Sequence, residues 1–266
     1  MSNNDFFEWS RFAGYFKKLF IERWRTNLMR SVILFAGLLV AIMWTSIQTY
    51  SFYSNEDIVK YNLEIPDTDP QRSVEEVIFK VAIVILGCFV ASRFLHDSRR
   101  KSERIGVLTT PISMFESWLA RWVMQVPMFL VVFFACFYAA DLIRVAMFAP
   151  IYSKLPITLF SLCGKYETAT DIIDFFIFYG GCVSFYLLGG VFFPRRAVLA
   201  SSVVLFFLIW YYAFVFMSFS GIFTGFFNEE FAVRNTLIRV FFVVLILFSW
   251  WLSYRRLKEL EIIDRL

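Results

Sequence analysis

Charge is scarce in this chain. Asp, Glu, Lys and Arg make up 18% of its 266 residues, against about a quarter in a soluble domain. With 35 Phe to cover, so little polar surface excludes an ordinary water-soluble fold. Histidine is scarcer still: His96 is the single one, and beside Asp97 at a helix end it reads as a solvated or capping residue, not a catalytic base. Cys88, Cys136, Cys163 and Cys182 form no C-x-x-C pair. A closed zinc site needs four nitrogen or sulfur ligands at suitable spacing, and no such set is present. Gly164-Lys165 lacks both the earlier glycine and the following Ser or Thr of a phosphate-binding loop. The expectation is a chain with no catalytic residue, no metal and no cofactor of its own.

What is abundant is apolar. Hydrophobic residues reach 59% and aromatics 21%, gathered into long blocks. A membrane-crossing helix needs roughly 20 mostly apolar residues, and the blocks predict an all-α integral membrane protein with six spans. These fall at about 31–52, 75–95, 120–140, 172–193, 197–217 and 236–254, followed by a tail at 255–266. All belong to one transmembrane domain covering 1–266. The second span is the most charged, with Lys80 and Arg93 near its ends, from where long basic side chains snorkel to the headgroups. No charge is expected deep in the third, fourth or fifth span, so no carboxylate lies where proton- or ion-coupled carriers usually keep one. Gly180-Gly181 and Gly189-Gly190 suit close helix approach. Asp171 and Asp174 read as a cap at the mouth of span four.

Orientation follows from Lys and Arg. With both termini in the cytoplasm, 18 of the 26 basic residues lie on cytoplasmic parts, as the positive-inside rule requires. The positive net charge comes from that asymmetry and implies no nucleic acid. Residues 1–30 do not look like a removable signal. Trp9, Phe12, Phe16, Leu19 and Phe20 recur at helical spacing, with Arg11, Lys18, Glu22 and Arg25 roughly opposite. That pattern predicts an amphipathic helix lying among the membrane lipids of the cytoplasmic interface.

The connection between spans two and three is the most informative stretch. It is basic through Arg104, then reads Leu108-Thr109-Thr110-Pro111-Ile112-Ser113-Met114-Phe115-Glu116, with Trp118 and Arg121 following. Pro111 suits a first helical turn, and Ser113 and Glu116 have capping-box spacing. This stretch resembles the "leucine, small residue, proline, x, serine, x, x, glutamate" signature of ABC-2-type permeases, especially small ones common in Bacteroidetes. It departs by an extra Thr before Pro111 and by Ser117 where lysine is frequent. The resemblance implies the membrane subunit of an ATP-binding-cassette transporter, an exporter of the bacterial inner membrane. ATP and Mg would sit on a separate cytoplasmic ATPase, and the permease would pair as a homodimer or heterodimer.

In that family the connection carries a coupling helix that docks on the ATPase. Arg104, Leu108, Pro111, Ser113, Phe115, Glu116, Trp118 and Arg121 are its candidates here. Phe115 and Trp118 would be the aromatic anchors, with Glu116 and Arg104 pairing by charge. The family also places a re-entrant segment before span six, which Phe219 to Asn235 resembles, with Gly221, Gly225, Glu229 and Glu230. A non-transporting membrane scaffold or accessory subunit is the alternative. A lipid-modifying enzyme fits least, because it needs a polar constellation at membrane depth.

Overall fold

In the computed structural model of the chain, every element among the described residues is a helix. The structure describes residues 7–53, 66–94, 112–162, 169–193, 196–208, 210–211 and 231–263. The helices are α1 (Trp9–Ser51), α2 (Arg72–Ala91), α3 (Met114–Gln125), α4 (Pro127–Phe148), α5 (Ala169–Phe192), α6 (Ala197–Leu208) and α7 (Phe231–Ile263).

Local chemistry explains most of the boundaries. The first proline of the chain is Pro66, so nothing interrupts the backbone ladder of α1 over its 43 residues. At 1.5 Å per residue α1 is about 65 Å long, roughly twice the ~30 Å hydrocarbon core. The expected division near residue 30, between an interfacial helix and a first span, is therefore no break in the helix. Before α2, the Asp69 carboxylate accepts the Gln71 N–H at 3.0 Å and the Asp69 carbonyl accepts the Arg72 N–H at 3.1 Å. α3 starts on the capping box foreseen at Ser113 and Glu116. The Glu116 N–H donates to Ser113 Oγ at 3.2 Å, and the Ser113 N–H donates to Glu116 Oε2 at 2.9 Å. It stops at Val126 because Pro127 has no N–H to continue the ladder.

Among the described residues, four helical stretches are long and apolar enough to cross a membrane: Trp9–Ser51, Met114–Phe148, Ala169–Phe192 and Arg239–Glu259. The chain is a multi-pass membrane protein. Six such stretches were expected, and the described residues of the other two do not by themselves meet that length and composition. α2 has 20 residues but carries Arg72, Glu75, Glu76 and Lys80 in its first half, while α6 is a shorter apolar helix. Val40, Trp44, Phe206, Trp210, Phe241 and Phe248 are each more than half exposed, a surface suited to lipid and unsuited to water.

The chain forms two compact units. One comprises Met1–Tyr15, Leu86–Val126 and Ala169–Leu266; the other comprises Phe16–Ile85 and Pro127–Thr168. In the second unit α1 and α4 run parallel: Cys136 Sγ lies 3.8 Å from the Ser31 carbonyl, and further along both helices the Tyr50 and Phe148 rings are 5.2 Å apart. α2 runs against α4. Glu75 meets Arg144 at 2.5 Å, while Phe79, one turn later, packs on Phe137 and Phe133 at 5.1 and 5.6 Å.

In the first unit α5 and α7 are parallel and meet at three levels, the middle one formed by the consecutive Gly180 and Gly181. Asp174 meets Arg239, Gly181 faces Phe242, Gly180 faces Ile246, and the Phe192 ring lies 5.5 Å from the Arg256 guanidinium. The end of α2 also runs along α5. A Cβ on Gly87 would stand 2.7 Å from the Tyr179 ring, and one on Gly190 would stand 2.5 Å from the Ser92 carbonyl oxygen. The glycines of α5 thus serve close packing, and α5 passes through them unbroken.

Candidate functional site

The largest concentration of chemistry lies in the second unit, where no charge was expected. α4 continues past Ala140, the predicted end of the third span, and carries Asp141 and Arg144 to Phe148. Both side chains are fully buried, with 0% exposure. Around them stand Tyr50 from the end of α1, Asp69 from the turn before α2, and Glu75 from the first turns of α2, none more than 5% exposed.

The guanidinium of Arg144 is the hub. Its Nε donates to Asp141 Oδ1 at 2.7 Å and lies 2.5 Å from Glu75 Oε1; Nη1 donates to Asp69 Oδ2 at 2.9 Å and to the Tyr50 hydroxyl oxygen at 2.5 Å. Nη2 donates to the Thr158 carbonyl at 2.7 Å. Tyr50 in turn donates its hydroxyl hydrogen to Asp69 Oδ1 at 2.9 Å. Two backbone N–H groups close the arrangement, Phe160 onto Asp141 Oδ2 at 2.7 Å and Thr158 onto Asp69 Oδ2 at 3.3 Å. Four side chains and the irregular segment after α4 are therefore gathered around one cation. Phe79, fully buried, shields the neighbourhood by packing on Phe133, Phe137 and Phe160.

Such a network costs several kcal/mol per ion in desolvation unless every lone pair is met. Here it sits at helix ends: Tyr50 is next to last in α1, Glu75 is fourth in α2, and Arg144 is one turn from the end of α4. A buried charge pathway for a carried ion would be sought nearer the middle of a span. The arrangement fastens three helices and a connection at one end of the unit. Sequence reasoning missed it because the third span was closed at residue 140. The signal was the i, i+3 pair of Asp141 and Arg144 directly after an apolar run, which at such a place needs partners.

The predicted coupling segment is the second site, and it lies in the first unit. Glu116, 0% exposed, accepts at Oε1 from the Glu8 N–H at 2.7 Å and from Arg11 Nη2 at 3.0 Å, besides the Ser113 N–H at Oε2. Trp118, 7% exposed, donates its indole N–H to Ser253 Oγ at 3.1 Å and packs against Tyr254 at 6.1 Å. Phe115 lies 6.2 Å from Phe7 and 6.0 Å from Tyr254. Arg121 is buried as well.

These positions show what the same side chains do within the chain itself. Trp118 is no free anchor, since its ring and N–H are committed to α7. The Glu116 carboxylate is held by Arg11 and two backbone N–H groups. Ser113, Phe115, Glu116, Trp118 and Arg121 do come together, but as the inward side of a clasp that binds the N-terminal residues and α7 to α3. Arg104, Leu108 and Pro111 lie outside the described residues, as do Gly221, Gly225, Glu229, Glu230 and His96.

Asp174 is likewise more than a cap. Its carboxylate takes both Nε and Nη2 of Arg239, at 2.5 and 2.9 Å. Asp171 does lie in the first turn of α5, where a carboxylate complements the helix dipole. Cys88, Cys136 and Cys182 are free thiols, and among the described residues no three His, Cys, Asp or Glu side chains are arranged to hold a metal ion. No protein-family model matches the chain, and neither a curated protein nor a solved structure does.

Proposed function

We propose that the chain is the membrane-spanning subunit of an ABC-2-type exporter, working in a bacterial inner membrane and driven by a separate cytoplasmic ATPase. The supporting observation is the build of α3. It is a short capped helix clasped on one side by Glu8 and Arg11 and on the other by Ser253 and Tyr254. It leads through the Val126–Pro127 break directly into the apolar helix α4. A partner that closes on nucleotide must push on something stiff, and a helix held at both flanks transmits force where a free loop would yield. The surface left to that partner is the half-buried side of Ile112, Met114 and Leu119.

The helix directions support six crossings even though four helices qualify by length and composition. α1 and α4 are parallel, so the chain between them must return, and α2 is antiparallel to α4. α5 and α7 are parallel too, which requires a return between Phe192 and Phe231, and α6 begins it. An even count puts both termini on one side, and the basic residues make that side the cytoplasm.

The test is purification from native membranes in a mild detergent. A nucleotide-binding subunit should accompany the chain in stoichiometric amount, the complex should hydrolyse ATP, and Met114→Glu should release the ATPase while the chain stays folded. Recovery of the chain with no nucleotide-binding subunit in any preparation would leave the scaffold reading in its place.

A further inference from the structure

The cluster around Arg144 sets three carboxyl groups against one guanidinium, in a place that water does not reach. Its hydrogen bonds decide how those groups are ionised. Asp69 accepts four donors, from Tyr50, Gln71, Arg144 and Thr158; a carboxyl with every acceptor position filled by donors carries its negative charge. Asp141 accepts Arg144 Nε at one oxygen and the Phe160 N–H at the other, so each of its oxygens already meets a donor.

Glu75 differs. Its Oε1 is 2.5 Å from Arg144 Nε, but that nitrogen carries one hydrogen, which points at Asp141, and Glu75 Oε1 is left without a hydrogen-bond partner. Glu75 Oε1 and Asp141 Oδ1 crowd the same Arg144 nitrogen, at 2.5 and 2.7 Å, so the two carboxyl groups are neighbours. Two carboxyl groups bond only if one of them brings a proton. Gln71 and Thr45 stand next to the cluster as neutral groups. Also on α2, Arg72 donates to the Ser161 carbonyl, and Glu76 pairs with Lys80.

We propose that the cluster is a proton-binding site, in which Glu75 holds the proton and donates it to the Asp141 carboxylate. The bound proton lowers the excess of negative charge from two to one and supplies the donor that Arg144 cannot. It also makes the fastening of Thr158 and Phe160 depend on pH. This holds whether or not an ATPase drives the chain.

The experiment uses the full chain purified in detergent. Infrared spectroscopy at neutral pH should show the carbonyl stretch of a buried protonated carboxyl, present in the wild type and in Asp171→Asn, and lost in Glu75→Gln. Thermal unfolding against pH gives a second readout. The folded state binds one proton more than the unfolded state, so the wild type should lose stability as pH rises from the ordinary glutamate value of about 4.3, by up to tenfold in the folding equilibrium per pH unit. Glu75→Gln keeps a donor toward Asp141 without the titration, so it should fold and be flatter over that range, while Asp69→Asn should be much less stable at every pH. The proposal is overturned if the infrared band survives Glu75→Gln, or if that variant follows the wild-type pH dependence. It is equally overturned if Glu75→Gln fails to fold or is destabilised as much as Asp69→Asn.

Discussion

Removing a single oxygen, by Tyr50→Phe, probes how much the Arg144 cluster contributes. The Tyr50 ring is fully buried against Phe148 and Tyr152, at 5.2 and 5.6 Å, and Phe keeps those contacts. What goes is the bond donated to Asp69 and the bond accepted from Arg144, both partners being ionised. A hydrogen bond to a charged group is worth about 1.5–3 kcal/mol. The two losses do not sum fully, because Arg144 Nη1 still reaches Asp69 Oδ2 and Asp69 Oδ1 keeps the Gln71 N–H. The expected destabilisation is therefore about 2–4 kcal/mol. It is measured as the shift in an unfolding titration of the purified protein, with Tyr152→Phe as a control expected within about 0.5 kcal/mol of wild type. In a double-mutant cycle with Asp69→Asn the two substitutions should couple by at least ~1 kcal/mol. A Tyr50→Phe protein as stable as the control, or one whose loss simply adds to that of Asp69→Asn, would mean that the network does not hold this end of the unit.

Gly190→Ala should lower stability by about 1–3 kcal/mol, because its Cβ would press on the Ser92 backbone carbonyl and force α2 and α5 apart. Gly37→Ala meets nothing within 4 Å and should be neutral or slightly stabilising in the same assay. Glu116→Ala should raise hydrogen exchange at residues 8–15 and 113–117 at least about tenfold, since a bond donated to a carboxylate is worth about 1.5–3 kcal/mol. Exchange at Thr158 and Phe160 should stay unchanged; equal protection of residues 8–15 in wild type and variant would refute the clasp.

What could be read in the sequence was local. Apolar blocks mark helices through composition alone, and the Ser113–Glu116 box was visible because its partners are three residues apart. The α5 glycines were visible because small residues in a span have few other uses. The Arg144 cluster was not visible, because Asp69, Glu75 and Asp141 are brought together by the crossing of α2 and α4, and nothing in the linear order states which helices cross. The closing of span three at residue 140 treated the first charge as a membrane edge, yet a charged pair with buried partners is also a way to continue a helix. The same limit hid the contact that Trp118 makes with α7. An aromatic on an amphipathic helix looks alike whether it faces a partner or its own chain, and the Ser253 that Trp118 meets is 135 positions away. The continuity of α1 was within reach, since no proline or cap separates residue 30 from its neighbours.

The parallel pairing of α5 with α7 limits how that unit is able to move. Interlocks at Asp174–Arg239, Gly181–Phe242, Gly180–Ile246 and Phe192–Arg256 are distributed along nearly the whole length of α5. Sliding one helix past the other by a turn, about 5.4 Å, would break all four together and drive ring and methyl groups into glycine backbone, with no second set of notches to receive them. Screw and piston motions are thereby suppressed, and the two helices are left to tilt as one plank. For this helix pair, tilting together is the motion that keeps these contacts.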